Sequence, residues 1–247
     1  MNNYEKLEGM VAATFTPLDE NGDVNLSVID KYADWIASTP IKGVFVCGTT
    51  GEFSSLTIDE RNLILEKWLV SARKRFKVIA HVGSNCQRSA MELARHAAQV
   101  GADAIASIAP SFFKPGTVDE LVDFFAPICH SAAGLPFYYY NMPSITGVNL
   151  PVDKFLVEGK KKIPNLVGTK FTHNNLMEMG VCIELEQHRF EVLHGYDEIL
   201  ISGLAMGAVA GVGSTYNYIP NVYQAIFDSM KMNDLETARH NHIKSIR

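Results

Sequence analysis

Eight times along its length the chain repeats one unit, a short apolar β-rich run followed by a longer segment with helical periodicity. The runs fall near 10–15, 43–47, 77–82, 103–108, 136–141, 166–171, 190–194 and 208–213. Strands apolar on both faces and alternating with amphipathic helices imply a parallel sheet covered by helices. Eight such units in 247 residues match an α/β fold of the (β/α)8 barrel type. The competing architecture, a doubly wound open sheet, usually carries a glycine-rich phosphate loop after its first strand. Here that strand runs into Thr14-Phe15-Thr16-Pro17-Leu18 instead.

Helices are expected over 26–37, opened by Asn25 as cap, and over 57–73, where Thr57 and Glu60 have the spacing of a capping box. Others read as 89–100, 118–132, 174–185 and 198–205. The expectation is a single domain over 1–247, with a C-terminal helical extension starting near 219. The extension comprises a helix over 222–230 and another from Leu235, and the chain stops at Ile246-Arg247 with no cap or breaker. The additional helices are therefore expected to be only partly present.

Composition narrows the function classes. With 22 Lys and Arg scattered among 27 acids, a net charge of -5 leaves no basic stripe for nucleic acid or an anionic membrane. No apolar stretch approaches bilayer length, and Met1-Asn2-Asn3-Tyr4-Glu5-Lys6 has no apolar signal segment, so a cytoplasmic setting is expected. Cys47, Cys86, Cys129 and Cys182 are far apart and read as reduced structural thiols. No histidine pairing suggests a metal site; His81, closing an apolar run, reads as a hydrogen-bonded barrel histidine.

The chemical clue is Lys170. It lies inside the run from Asn165 to Thr172, which carries no other charge and follows Pro164. Lysine is almost never fully buried without a partner, because an ammonium loses several kcal/mol of hydration there and tends to shed its proton. A strand-interior lysine is thus a candidate amine nucleophile.

In a barrel the reactive rim is formed by the C-terminal strand ends. Strand two ends in Cys47-Gly48-Thr49-Thr50-Gly51-Glu52, whose glycines and hydroxyls suit a carboxylate, although a threonine-rich turn can also cap its own backbone. Strand five ends in three tyrosines; Tyr138 and Tyr140 share one face and Tyr139 takes the other. Lys170 and Thr172 share a face by the same period, so the lysine and a tyrosine can meet. Strand seven leads into His194-Gly195-Tyr196-Asp197-Glu198, and strand eight into Gly211-Val212-Gly213-Ser214-Thr215-Tyr216-Asn217. The acids there could complement a helix dipole, and Ser214 could face a phosphate, which the adjacent acids disfavour.

These stretches, with Tyr140-Asn141-Met142-Pro143-Ser144-Ile145-Thr146-Gly147 and Gly168-Thr169-Lys170-Phe171-Thr172, resemble the motif series of the pyruvate-dependent class I aldolase family that contains N-acetylneuraminate lyase and dihydrodipicolinate synthase. The likeness runs from about Gly9 to the chain end, and it rests on five motifs in order, each at a strand end. It implies a Schiff base on Lys170, proton transfer by Tyr140, and a pyruvyl carboxylate held by Thr49 and Thr50. Thr172, Gly195, Asp197, Glu198, Gly213 and Ser214 would order a sugar tail. It implies no metal or other cofactor, and a homotetramer. The family's synthases usually place an arginine after Pro143-Ser144 to hold a second carboxylate; Ile145 cannot do so, which turns the likeness toward the sialic acid lyases, with pyruvate and N-acetylmannosamine as products. Ser111-Phe112-Phe113 stands where family members often carry tyrosines, one reaching into a neighbouring subunit's site. Another aldolase of the family and a non-catalytic sugar-acid binding barrel are the alternatives.

Overall fold

The computed structural model describes residues 4–132 and 134–247. Eight strands, β1 (Gly9–Ala13), β2 (Gly43–Val46), β3 (Lys77–His81), β4 (Ala104–Ile108), β5 (Phe137–Asn141), β6 (Leu166–Phe171), β7 (Glu191–His194) and β8 (Ala210–Gly213), close into one all-parallel barrel in sequence order. Around them run α1 (Val28–Ala37), α2 (Ile58–Ala72), α3 (Gln87–Val100), α4 (Val118–Ser131), α5 (Pro143–Thr146), α6 (Val152–Lys162), α7 (Leu176–Glu184), α8 (Leu200–Ala205), α9 (Pro220–Lys231) and α10 (Leu235–Ser245). This is the expected (β/α)8 barrel with C-terminal helices.

Strand alternation divides the core in two. Outward side chains such as Val44, Val46, Phe137 and Tyr139 pack against the helices. Inward ones, among them Val11, Phe45, Ile79, Tyr138, Tyr140 and Val212, fill the barrel. Because both faces are covered, the strands read as apolar runs rather than alternating ones.

The capping box forms as expected: Glu60 N–H donates to Thr57 Oγ1 at 3.3 Å, and Thr57 N–H to Glu60 Oε2 at 2.7 Å. Asn25 does not cap α1. Its Oδ1 instead accepts from Ser27 N–H (3.2 Å) and Ser27 Oγ–H (2.6 Å), so its hydrogen bonds stay within the turn and the helix starts later, at Val28. The helix expected over 198–205 begins as one 3₁₀ turn, Asp197–Ile199, before α8. Helix α6 was not expected, because its last turn is Lys160-Lys161-Lys162 and one position of its buried face is Gly159. All four cysteines are free thiols, as expected; Cys86 is exposed at the start of α3, and Cys47, Cys129 and Cys182 are buried.

The lower end of the barrel is stopped by residues before β1. Leu7 is buried, and its N–H donates to Glu191 Oε2 at 2.9 Å. Tyr138 also donates to that oxygen at 3.1 Å, and the Tyr4 and Tyr138 hydroxyls are hydrogen-bonded. Burial raises the Glu191 carboxyl above its ordinary range.

Candidate active site

Ladder register brings the strand-six lysine and the strand-five phenol together. In the β5–β6 pairing Tyr140 lies opposite Lys170, and both point into the barrel near its upper rim. Lys170 is only 4% exposed. Its Nζ donates to Thr172 Oγ1 at 3.0 Å and sits 3.7 Å from the Tyr140 ring centre and 5.4 Å from that of Phe45. Among the described residues no carboxylate comes within ion-pair distance of this amine. Aromatic faces and one hydroxyl thus replace the counter-ion a buried lysine usually takes.

The three tyrosines of β5 have three environments. Tyr138 belongs to the floor, beside Glu191. Tyr139 faces the helices and packs on Phe125 and Phe155 at 5.5 and 4.6 Å between ring centres. Only Tyr140 reaches the rim, where its hydroxyl lies 3.1 Å from Thr49 Oγ1 and 3.1 Å from Met142 Sδ.

The turn after β2 is tightly made. Cys47 takes φ +53° and Glu52 φ +55°, left-handed conformations that cost a non-glycine residue about 1–3 kcal/mol. Thr16 Oγ1 donates to Gly51 O at 2.7 Å and ties the turn to the chain after β1. Thr50 Oγ1 meets Ser214 Oγ at 2.7 Å, linking this turn to the one after β8.

On the far side, Asp197 is 5% exposed. Its Oδ2 accepts from Thr215 N–H (3.0 Å) and Oγ1–H (2.7 Å), while Oδ1 has no partner among the described residues. Burial raises this carboxyl, and the Thr215 donors pull against that. Two glycines make the approach feasible. A Cβ on Gly213 would lie 1.9 Å from Asp197 Oδ1, and one on Gly195 2.1 Å from Thr172 Oγ1. Glu198 is exposed at the rim.

All the expected site residues, Lys170, Tyr140, Thr49, Thr50, Thr172, Gly195, Asp197, Glu198, Gly213 and Ser214, line one cavity of about 260 Å³. Phe45, Met142, Ser144, Tyr196 and Thr215 line it too and were not singled out from sequence. Phe45 alternates with Val44 and Val46 along β2 and takes the face opposite to theirs, and Thr215 follows Ser214 directly in sequence. Phe112 and Phe113, 77% and 87% exposed, stand outside this lining. A wider concavity of about 1050 Å³ opens at the opposite barrel end, walled by groups such as Glu5, Lys42, Lys77 and Asp103, but it holds no hydroxyl, thiol or imidazole. The smaller, upper one gathers the lysine, the phenol, the hydroxyls and the carboxylates.

Residues 6–246 match the dihydrodipicolinate synthetase family. The chain is 43% identical over 237 residues to N-acetylneuraminate lyase of Mus musculus, spanning 95% of this chain and 74% of that protein. It is 44% identical over 242 residues to N-acetylneuraminate lyase of Gallus gallus, spanning 97% and 79%. Among solved structures, the Proteus mirabilis N-acetylneuraminate lyase superposes with a TM-score of 0.95 at 36% identity, over 98% of this chain and 82% of that one. Dihydrodipicolinate synthase from Aquifex aeolicus superposes with a TM-score of 0.89 at 28% identity, over 96% and 80%. A closed barrel with a lysine in its sixth strand and five rim motifs in order, matched along nearly its whole length, belongs to the dihydrodipicolinate synthetase family.

Proposed function

We propose that this protein is a sialic acid lyase, cleaving N-acetylneuraminate reversibly to pyruvate and N-acetylmannosamine through a Schiff base on Lys170. The observation that carries the reading is the buried Lys170 amine, seated on the Tyr140 ring and hydrogen-bonded to the Thr172 hydroxyl. The amine attacks the C2 ketone of the open-chain sugar, and the carbinolamine loses water to give an iminium. When C4–O–H loses its proton, the C3–C4 bond breaks. Its electron pair moves into the iminium, leaving an enamine and the free aldehyde sugar. Protonation at C3 and addition of water release pyruvate and restore the amine.

Thr49 and Thr50 hold the pyruvyl carboxylate, and Tyr140, hydrogen-bonded to Thr49, moves protons at the carbinolamine and at the C4 hydroxyl. Thr172, Asp197, Glu198 and Ser214, with the clearances at Gly195 and Gly213, order the neutral polyol tail. The resemblance further supports a homotetramer in the cytoplasm.

Incubation with pyruvate followed by borohydride reduction tests the reading. Peptide mass mapping is expected to find the adduct on Lys170 alone, and Lys170→Ala to lose it. An adduct on another lysine, or none, overturns the proposal; an adduct without sialic acid cleavage points to another aldolase of the family.

A further inference from the structure

His81 closes β3, is 3% exposed, and lies outside the lining of the catalytic cavity. Its ring is fully used. Nδ1 lies 2.8 Å from the Cys47 carbonyl oxygen, and Nε2 lies 3.4 Å from the Ile108 backbone nitrogen. A carbonyl only accepts and an amide N–H only donates, so the ring is the neutral Nδ1–H tautomer. A protonated ring would set two donors against each other at Ile108. Burial and the nearby Arg61 act in the same direction, holding the imidazole well below its ordinary value.

Other groups hold the ring in place. Arg61, 5% exposed, donates to the His81 carbonyl at 2.7 Å and the Gly83 carbonyl at 3.0 Å. Phe53 stacks edge-on at 4.5 Å between ring centres, with the Arg61 guanidinium 5.5 Å from its own centre. Gly83 passes so close that a Cβ there would lie 2.7 Å from His81 Nε2. The edge of the Tyr140 ring lies against His81, 5.8 Å between centres.

The carbonyl that His81 holds belongs to Cys47, whose backbone is left-handed at φ +53°. Two residues on, Thr49 meets the Tyr140 hydroxyl. We propose that His81 is a positioning residue for the turn after β2: its Nδ1–H pins the strained Cys47 peptide and so sets Thr49 and Thr50 where they receive a carboxylate. The ligand named for that turn rests on the aldolase reading above; the pinning itself does not.

Side-chain length provides the test. An asparagine amide nitrogen occupies the place of histidine Nδ1, whereas a glutamine amide reaches the place of Nε2. In the condensation of pyruvate with N-acetylmannosamine, His81→Asn is expected to keep the pyruvate KM within about threefold of the unaltered enzyme. His81→Gln and His81→Phe are expected to raise it about tenfold, the scale of one lost buried hydrogen bond, with a smaller change in kcat. In a Cys47→Gly background, where φ > 0 carries no strain, the His81→Phe effect should shrink. Equal KM values for the asparagine and glutamine variants overturn the proposal. Should the variants fail to fold, ¹⁵N NMR of the imidazole in the unaltered protein decides: the Nδ1–H tautomer is expected, and an Nε2–H tautomer or an imidazolium at neutral pH overturns it. Failure of the unaltered enzyme to trap pyruvate is a separate result, which strikes the aldolase reading and leaves the tautomer measurement standing.

Discussion

Lys170 Nζ sits over the face of the Tyr140 ring at 3.7 Å, while the hydroxyl of the same tyrosine is hydrogen-bonded to Thr49. Ring and hydroxyl therefore do different things. The ring lies under the amine, and the hydroxyl is tied to Thr49.

Tyr140→Phe separates the two. The variant keeps the ring under the amine, so the adduct with pyruvate should still form on Lys170 but more slowly, because the carbinolamine loses its proton carrier, and kcat for sialic acid cleavage should fall by about 10²–10⁴, the range for a proton-transfer group. Tyr139→Phe, whose hydroxyl faces the helices, should leave kcat unchanged. Steady-state rates for the two variants check this. A larger loss from Tyr139→Phe assigns the proton transfer to the wrong phenol.

Asp197 presents one carboxylate oxygen to Thr215, and the other, beside Gly213, has no partner among the described residues. Losing a charged acceptor for a substrate hydroxyl costs about 1.5–3 kcal/mol, so Asp197→Asn should lower kcat/KM for N-acetylneuraminate roughly ten- to a hundredfold. Glu198→Gln, at an exposed carboxylate, should lose less. Neither should alter Schiff-base formation with pyruvate, which has no tail. Unchanged cleavage by Asp197→Asn would remove this residue from the sugar site.

Gly168 pairs with Glu191 across the β6–β7 ladder, and a Cβ on it would lie 1.9 Å from the Glu191 carbonyl oxygen. Backbone cannot swing aside as a side chain can. Gly168→Ala should destabilise the barrel by about 3 kcal/mol or more, at the upper end of overpacking effects. Gly101→Ala, in open space at φ +84°, should cost only about 1 kcal/mol. Denaturant unfolding of both variants gives the comparison, and equal losses would contradict the close approach.

The Glu191 carboxyl is raised by burial at the barrel floor. A carboxyl whose folded value exceeds its unfolded one holds its proton more tightly when folded. Its contribution is therefore most favourable below the unfolded carboxylate range and is lost as pH rises through the folded value. Glu191→Gln keeps an oxygen for Leu7 and Tyr138 and removes the titration. Thermal midpoints followed from pH 4 to 8 should fall more for the unaltered protein than for the variant. Parallel curves would show that the floor does not titrate.

The parts legible in the sequence were those set by local rules. β6 is read from an apolar run around one charge, and period two then puts Lys170 and Thr172 on one face. The Thr57 and Glu60 spacing announces α2, because both partners lie within one turn. Helix α6 escaped because its buried face uses Gly159, which packs on Leu166 without an apolar side chain. The partners of the site residues were invisible for a different reason. Whether Thr215 meets Asp197, or His81 the Cys47 carbonyl, depends on the stagger between separate strands of a closed barrel, and no local pattern carries it. The choice of Tyr140 over Tyr138 needed the same knowledge, since both share one strand face and only height along the barrel axis parts them.

Leu7, Tyr4, Tyr138 and Glu191 stopper the lower barrel end, so the cavity that Lys170 lines is a shaft closed below by this floor. Traffic in such a shaft is a queue. If Lys170 carries the pyruvyl group as proposed, that end is anchored at the bottom and the sugar fragment stands between it and solvent. The aldehyde leaves first because it blocks the way, and the water that frees pyruvate follows it in. In the synthetic direction the same queue runs backward: pyruvate enters first, and a sugar that arrives early bars the door.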